Sequence, residues 1–307
     1  MTSTTRVPGL ADLADLARQL RDLHRPGEPL VLVNAWDVAS ARGVVAAGGR
    51  AVATTSAGVA DTLGLPDDDS SPVAPVFDLL GRIAAAVAVP VSADVAGGYG
   101  LPPAELVDRL LAAGLVGCNL EDSDHAGPGA LLDASLVADR LAGVRAAAAT
   151  AGVPLVVNAR IDTYLRHAGP AREVLPETLR RARLYLAAGA DCVYPVGLGD
   201  PAVLSDLVRE LEAPVNGNPG DGVTVADLAA AGASRVSVGP RGQRLAQAEL
   251  RRFAATLLAP SGPLAHRAAS RSIDAHNAAL CAKRGSPDAS VGGWGARGGG
   301  RQRRQSS

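Results

Sequence analysis

The stretch VPVSADVAGGYGLPPAELVDRLLAAGLVGCNLED, Val89–Asp122, contains the repeating unit of the whole chain. Val89, Val91 and Ala93 make its first residues a short apolar run that closes on Asp94, the pattern of a buried strand. A glycine-rich turn carrying Tyr99 follows. PPAELVDRLLAAG then opens on proline, closes on glycine and has helical apolar spacing. The closing glycine turns the chain into a second apolar run, GCNLED. Aspartate is common in turns because it bonds its own backbone, so Asp94 acquires meaning only from what the other runs end on.

Those runs are LVLVN (30–34), AVATTS (51–56), VPVSAD (89–94), GCNLED (117–122), PLVVNAR (154–160), CVYPVG (192–197), APVNGN (213–218) and RVSVGP (235–240). Each is short, rich in β-branched residues and bounded by Gly, Pro, Asn or Asp. Helical stretches such as LPETLRRARLYLAAG separate them. Eight alternations over roughly 210 residues are the count of a (β/α)₈ TIM barrel. A doubly wound open sheet shares the alternation, but no G-x-G-x-x-G follows the first run. Residues 9–24 read as a leading amphipathic helix under the barrel and 260–282 as a further helix. The Gly/Arg/Ser-rich end has almost nothing to bury. The expected organisation is one α/β barrel domain over 1–282 and a disordered tail over 283–307.

With 307 residues, 47% of them hydrophobic, the chain has ample material for such a core. Thirty basic and 31 acidic side chains nearly cancel, which gives no support for nucleic acid or a membrane surface as partner. The three cysteines, Cys118, Cys192 and Cys281, have no metal spacing and fit a reducing compartment. Without a signal peptide or a spanning apolar run, the expected protein is soluble and cytoplasmic.

Barrel enzymes build their sites at the C-terminal ends of the strands. There the chain places Thr55 and Ser56, then Asp94, then Glu121, then Arg160, with Asn216 and Asn218 later. Carboxylates on adjacent strand ends repel unless a cation sits among them, and oxygen ligands suit Mg²⁺ or Mn²⁺. An arginine beside them offers a fork for an acid group. Asp122, Ser123 and Asp162 fit helix caps and loop ion pairs equally well. Trp36, after the first run, is expected either to wall the pocket or to pack in the core.

These residues resemble the isocitrate lyase/phosphoenolpyruvate mutase superfamily. DVAGGYG aligns without a gap with that family's DADTGYG, NLEDS with its fourth-strand (N/C)(I/L)ED, NARID with its ARTDA, and LGLPD with its LG-x-x-D. The resemblance spans about residues 28–258. It implies a Mg²⁺-dependent barrel in which the metal polarises the oxygen beside the cleaved bond and holds the developing enolate. It implies Asp94 as direct metal ligand, with Asp67 and Glu121 reaching the metal directly or through water. Arg160 would bind the substrate carboxylate, and Thr55, Ser56, Ala57 and Gly58 would cradle it, with Asn216 as a further substrate contact. Homotetramers exchanging the last barrel helix are also implied. Two departures stand out. Ala96 replaces the second acid of DAD, and the loop after the fourth run, SDHAGPGALLD, lacks the family's KKCGH cysteine and the mutases' lysine. His125 is the titratable replacement and is expected to act as acid or base. The expected function is Mg²⁺-dependent C–C cleavage of a small 2-oxo or 2-hydroxy acid, as in methylisocitrate lyase or oxaloacetate decarboxylation. C–P chemistry on a phosphonate and a catalytically silent metabolite-binding barrel are the alternatives.

Overall fold

The computed structural model describes residues 9–259 apart from 126, 128, 129 and 168. Its elements run α1 (Leu10–Asp22), β1 (Leu30–Leu32), β2 (Asn34–Ala35), α2 (Val38–Ala46), β3 (Val52–Thr54), α3 (Ser56–Leu63), α4 (Val73–Ala85) and β4 (Val91–Asp94). They continue α5 (Pro103–Ala112), β5 (Gly117–Glu121), α6 (Ala134–Thr150), β6 (Val156–Ile161), α7 (Ala171–Ala187), β7 (Cys192–Pro195) and α8 (Pro201–Leu211). Last come β8 (Asn216–Gly217), α9 (Val225–Ala230), β9 (Arg235–Ser237) and α10 (Arg241–Leu258). The chain divides into Met1–Glu249, which holds all the strands, and Leu250–Ser307, of which the described part is the end of α10 and Ala259. The expected helix over 260–282 and the tail over 283–307 lie outside the described residues. Among the described residues no helix is long and apolar enough to cross a membrane.

Every ladder is parallel. One runs β2-β3-β4-β5-β6-β7 and the other β1-β9-β8. A single bridge, Val193 to Val215, joins β7 to β8, and β1 and β2 are halves of one strand interrupted at Val33, so the ring closes as a (β/α)₈ barrel. Asn34 secures the seam at that interruption. Its Nδ2 donates to the Thr54 carbonyl at 2.7 Å, and its Oδ1 accepts from the N–H groups of Val238 and Gly239 at 3.0 Å each. Helix α7 begins at Ala171, four residues before the LPETL segment, with Pro176 inside it. Proline lacks the N–H that would reach the Arg172 carbonyl, and Arg172 is exposed, so water can satisfy that group.

The barrel floor is polar. Arg235 is fully buried and donates from Nη2 to Asn119 Oδ1 at 3.2 Å and from Nε to Ser237 Oγ at 3.3 Å. Asn158 and Asn216 extend this layer through Asn119 and Ser237. Beneath it, α1 buries Leu13, Ala14, Ala17 and Leu20. Leu20 lies so close to Gly117 that a Cβ there would stand 2.8 Å from its Cδ2, which explains a glycine opening β5. Arg21 fastens the helix to Asp191 at 2.9 Å, and Arg145 of α6 pairs with the same carboxylate.

His24, just past α1, donates from Nδ1 to the Leu20 carbonyl at 2.8 Å and leaves Nε2 buried without a partner. Burial, and then the charge of Arg235, push its pKa down from 6.5 to about 4. Between those two pH values the unfolded chain binds a proton that the folded chain refuses, so this group makes stability fall as pH falls through that window. His24→Leu is therefore expected to flatten the loss of urea stability between pH 6.5 and about 4; a slope equal to wild type would contradict the assignment.

Candidate active site

Three neighbouring strands supply the centre of the site. β4, β5 and β6 are paired in register, Asp94 with Asn119 and Glu121 with Arg160. Side chains alternate along a strand. Asn119 and Asn158 face the barrel floor, so Glu121 and Arg160 point inward one layer higher, with Ser123 and Asp162 above them.

Arg160 organises this cluster. Nε and Nη2 grip Asp162 Oδ1 and Oδ2 at 2.7 and 2.9 Å. Nη1 lies 2.5 Å from Glu121 Oε2 and 3.9 Å from Asp94 Oδ2. Burial opposes the guanidinium charge, but Asp162, Glu121 and Asp94 outweigh it and hold Arg160 firmly protonated. The other Glu121 oxygen stands 2.8 Å from His125 Nε2, at an angle that makes the contact an ion pair rather than an aligned hydrogen bond. Glu121 raises the His125 pKa against the opposing effect of burial.

Asp94 is bound less completely. Its backbone N–H donates to Thr54 Oγ1 at 3.0 Å, while Oδ2 accepts long 3.3 Å bonds from Ser56 N and Oγ at the start of α3. Oδ1 is buried and has no hydrogen-bond partner. Burial pushes the pKa up to about 6; Arg160 opposes this, and Glu121 and Asp67 add to it.

The loop after β4 is pinned. Ala96 and Tyr99 take left-handed backbone angles, φ 49° and 55°, which cost non-glycine residues free energy unless their surroundings fix them. Asp69 Oδ1 accepts the Tyr99 N–H at 2.8 Å, and Arg140 donates to the Leu101 carbonyl at 2.9 Å. Glu121 N–H donates to the Ala96 carbonyl at 3.0 Å, and the Tyr99 ring meets Phe77 edge-on at 6.4 Å. A side chain at Gly97 would collide with the Asp69 carboxylate.

Of the residues singled out from the sequence, Asp94, Glu121, Arg160 and His125 come together, with Thr55 and Ser56 beside Asp94. Ala57 and Gly58 continue into the first turn of α3. A side chain at Gly58 would strike Thr55 and Trp36. Asp67 is exposed and faces Asp94 through its charge rather than a direct contact. Two expected residues lie outside the Asp94–Glu121–Arg160 cluster. Trp36 lines a groove of about 490 Å³ with Val31, Val33, Val44 and Gly242, which none of the strand-end carboxylates lines. The cause is local: Ser40 Oγ accepts from the N–H groups of Trp36 and Asp37 and turns the chain straight from β2 into α2. Asn216 is buried in the polar floor beside Ser237, and it is Asn218 that bonds Tyr194 Oη at 3.1 Å. Sequence reading also left undecided the role of Asp162. The spacing of Arg160 and Asp162, two residues apart at one strand end, was the available signal. Nothing in the sequence marks Asp69 or Arg140 as loop anchors.

A family model described as phosphoenolpyruvate phosphomutase matches residues 20–258. The chain belongs to the phosphoenolpyruvate mutase/isocitrate lyase family. It is therefore an enzyme of a family of lyases and mutases. It is 36% identical to the uncharacterized Mycobacterium tuberculosis protein Rv1998c, over 71% of this chain and 80% of that one. It is 30% identical to a probable 2-methylisocitrate lyase of Corynebacterium glutamicum, over 60% of each chain. A structure from Burkholderia cenocepacia, provisionally named a phosphonomutase, superposes with a TM-score of 0.75 at 39% identity, covering 79% of this chain and 99% of that one.

The unpartnered Asp94 oxygen tests whether this member's residues fit a divalent cation. A buried carboxylate oxygen without a donor is an open ligand position. Among the described residues no three His, Cys, Asp or Glu side chains form a closed protein cage. What the site itself offers is the one open oxygen of Asp94, and a cation bound through few carboxylates with its waters retained, as Mg²⁺ is, needs no more than that.

Removing the central guanidinium leaves Asp162 buried without its cation and Glu121 with His125 alone. Arg160→Met is expected to cost about 3–5 kcal/mol in urea unfolding at neutral pH. Arg160→Lys keeps the charge without the fork and should cost less. A loss under about 1 kcal/mol in Arg160→Met would mean that the cluster does not hold the three strand ends together.

Proposed function

We propose that this enzyme is a divalent-cation-dependent lyase that cleaves a C–C bond of a small 2-oxo or 2-hydroxy acid. The observation that carries the reading is the open, buried Asp94 oxygen beside the Arg160–Glu121–His125 cluster. Asp94 would hold Mg²⁺, or Mn²⁺, directly, with Glu121 and Asp67 meeting its waters. The cation supplies an electrophile for the oxygen next to the bond being cleaved. Around it, the start of α3 offers the N–H groups of Ala57 and Gly58 and the hydroxyls of Thr55 and Ser56 to a substrate carboxylate, at the end of a helix that favours negative charge. Arg160 orients Glu121 and presents Nη1 to the same oxygens. His125, held against Glu121, keeps a proton at Nε2 and delivers it to the leaving carbon or takes it from a hydroxyl.

C–P chemistry is the second reading, favoured by the Burkholderia structure's provisional name. The loop that carries His125 has neither the cysteine nor the lysine of other family members, so histidine serves either reaction. We also infer a cytoplasmic homo-oligomer, a tetramer by the family resemblance. Val31 on β1 and Val33 just past it are exposed beside the Trp36 groove, and Leu245 is 72% exposed on α10. Sedimentation should give a mass well above the 30.9 kDa of one chain.

Turnover of oxaloacetate, 2-methylisocitrate and phosphonopyruvate, with and without Mg²⁺ or Mn²⁺ after chelation, tests the reaction. Cation-dependent cleavage of one of the first two acids is expected, and His125→Ala should lower kcat by about 10²–10⁴-fold. Turnover of phosphonopyruvate alone would replace the C–C reading with the C–P one. No turnover would leave a barrel that binds a metabolite without transforming it.

A further inference from the structure

Arg160 has little left to offer a second acid group. Its fork is closed on Asp162, and Nη1 is shared by Glu121 and Asp94. Another arginine stands at the same rim. Arg166 is exposed on the loop after β6 and donates from Nη2 to Ser123 Oγ at 2.9 Å. Ser123 Oγ in turn donates to Asp162 Oδ2 at 2.6 Å. The hydroxyl thus donates one hydrogen bond to Asp162 and accepts another from Arg166, so the two arginines end one chain of hydrogen bonds that climbs from the cluster to the mouth. A backbone turn fixes this placement: Arg166 N–H donates to the carbonyls of Asp162 and Thr163 at 3.2 and 3.3 Å. Ser123 and Asp162 continue the inward positions of β5 and β6, which aims Arg166 over the opening rather than outside the barrel. Among the described residues nothing else bonds its side chain. Its remaining N–H groups form a planar edge suited to a carboxylate or a phosphonate. Other arginines near the strand ends are committed: Arg140 to backbone carbonyls of the glycine loop, and Arg181 to Asp122 behind the barrel wall.

We propose that Arg166 is a specificity-determining residue that binds the distal acid group of the substrate, so that the enzyme selects diacids over monoacids of equal length. The proposal rests on the reading of the Asp94 cluster as the site for the proximal acid, and it narrows the substrate class to dianions.

Calorimetric binding in the presence of Mg²⁺ separates the two claims without requiring turnover. Three probes suffice: oxalate, whose two acid groups share one C–C bond; succinate, whose acid groups are two methylenes further apart; and butyrate, which replaces one succinate carboxylate with a methyl group. Wild type should bind oxalate, and should bind succinate at least about tenfold more tightly than butyrate, the order expected for a charge-assisted contact. Arg166→Gln should erase the succinate preference and leave oxalate within about twofold; Arg166→Lys should keep part of the preference. Thermal melts check that both variants are folded, as expected for an exposed side chain. No succinate preference in wild type, or its survival in Arg166→Gln, overturns the proposal while leaving the proximal site intact. Failure of wild type to bind oxalate overturns the proximal site itself, and the proposal with it.

Discussion

One buried guanidinium holds the active end of this barrel together. Arg160 faces carboxylates from β4, from β5 and from the residue just past its own strand, and without it Asp162 would be a buried charge with no cation beside it and Glu121 would keep only His125. A buried ion pair recovers its desolvation cost only when geometry is good and the remaining lone pairs are satisfied. Asp162 meets that condition, taking the fork from Arg160 and a hydroxyl from Ser123. Glu121 meets it in part, with Arg160 Nη1 on one oxygen and only a poorly aligned contact to His125 on the other. Asp94 does not: at 3.9 Å from Nη1 and with one oxygen unpartnered, it remains short of positive charge. This asymmetry is what supports the proposed cation site, because a charge arriving at Asp94 would meet an acceptor oxygen without a hydrogen-bond partner.

The glycine loop after Asp94 supports the same asymmetry. Two non-glycine residues in left-handed conformations, a carboxylate gripping Tyr99 N–H and an arginine on the Leu101 carbonyl fix the backbone where Asp94 ends its strand. Asp69 and Arg140 thus fix the turn that leads away from Asp94, while Ser56 holds the carboxylate itself. The pinned loop gives Asp94 a rigid support, which pre-organised sites require.

Much of this was legible from the residues in order. The eight apolar runs mark the strands, and the closing glycines mark where helices turn into them. The barrel rule then puts Asp94, Glu121 and Arg160 on one rim, because strand ends are the one place where chain order and site geometry coincide. Side-chain commitments were not legible. Arg160 reads as a free fork until Asp162, two residues on, is seen to fold back onto it. Any of the three aspartates at 67–69 could have faced the loop, and the backbone between them decides that Asp69 takes the Tyr99 N–H while Asp67 stays exposed. Trp36 reads as pocket wall or core residue, and its contacts with Ser40 and the Val33 groove are not visible in the sequence; nor is the depth at which Asn216 meets the polar floor around Arg235 and Ser237. Each of these depends on contacts between segments far apart in sequence, which periodicity does not encode.

The central claim is that Asp94 holds an open ligand position while Arg160 keeps its neighbours occupied. Anomalous diffraction from crystals soaked in Mn²⁺ tests it most directly. The account predicts a manganese peak bonded to Asp94 Oδ1 at about 2.1–2.2 Å, with water completing most of the shell and the Arg160–Asp162 fork unbroken. A peak bonded elsewhere with Asp94 unligated, or no peak at a saturating soak, would contradict it.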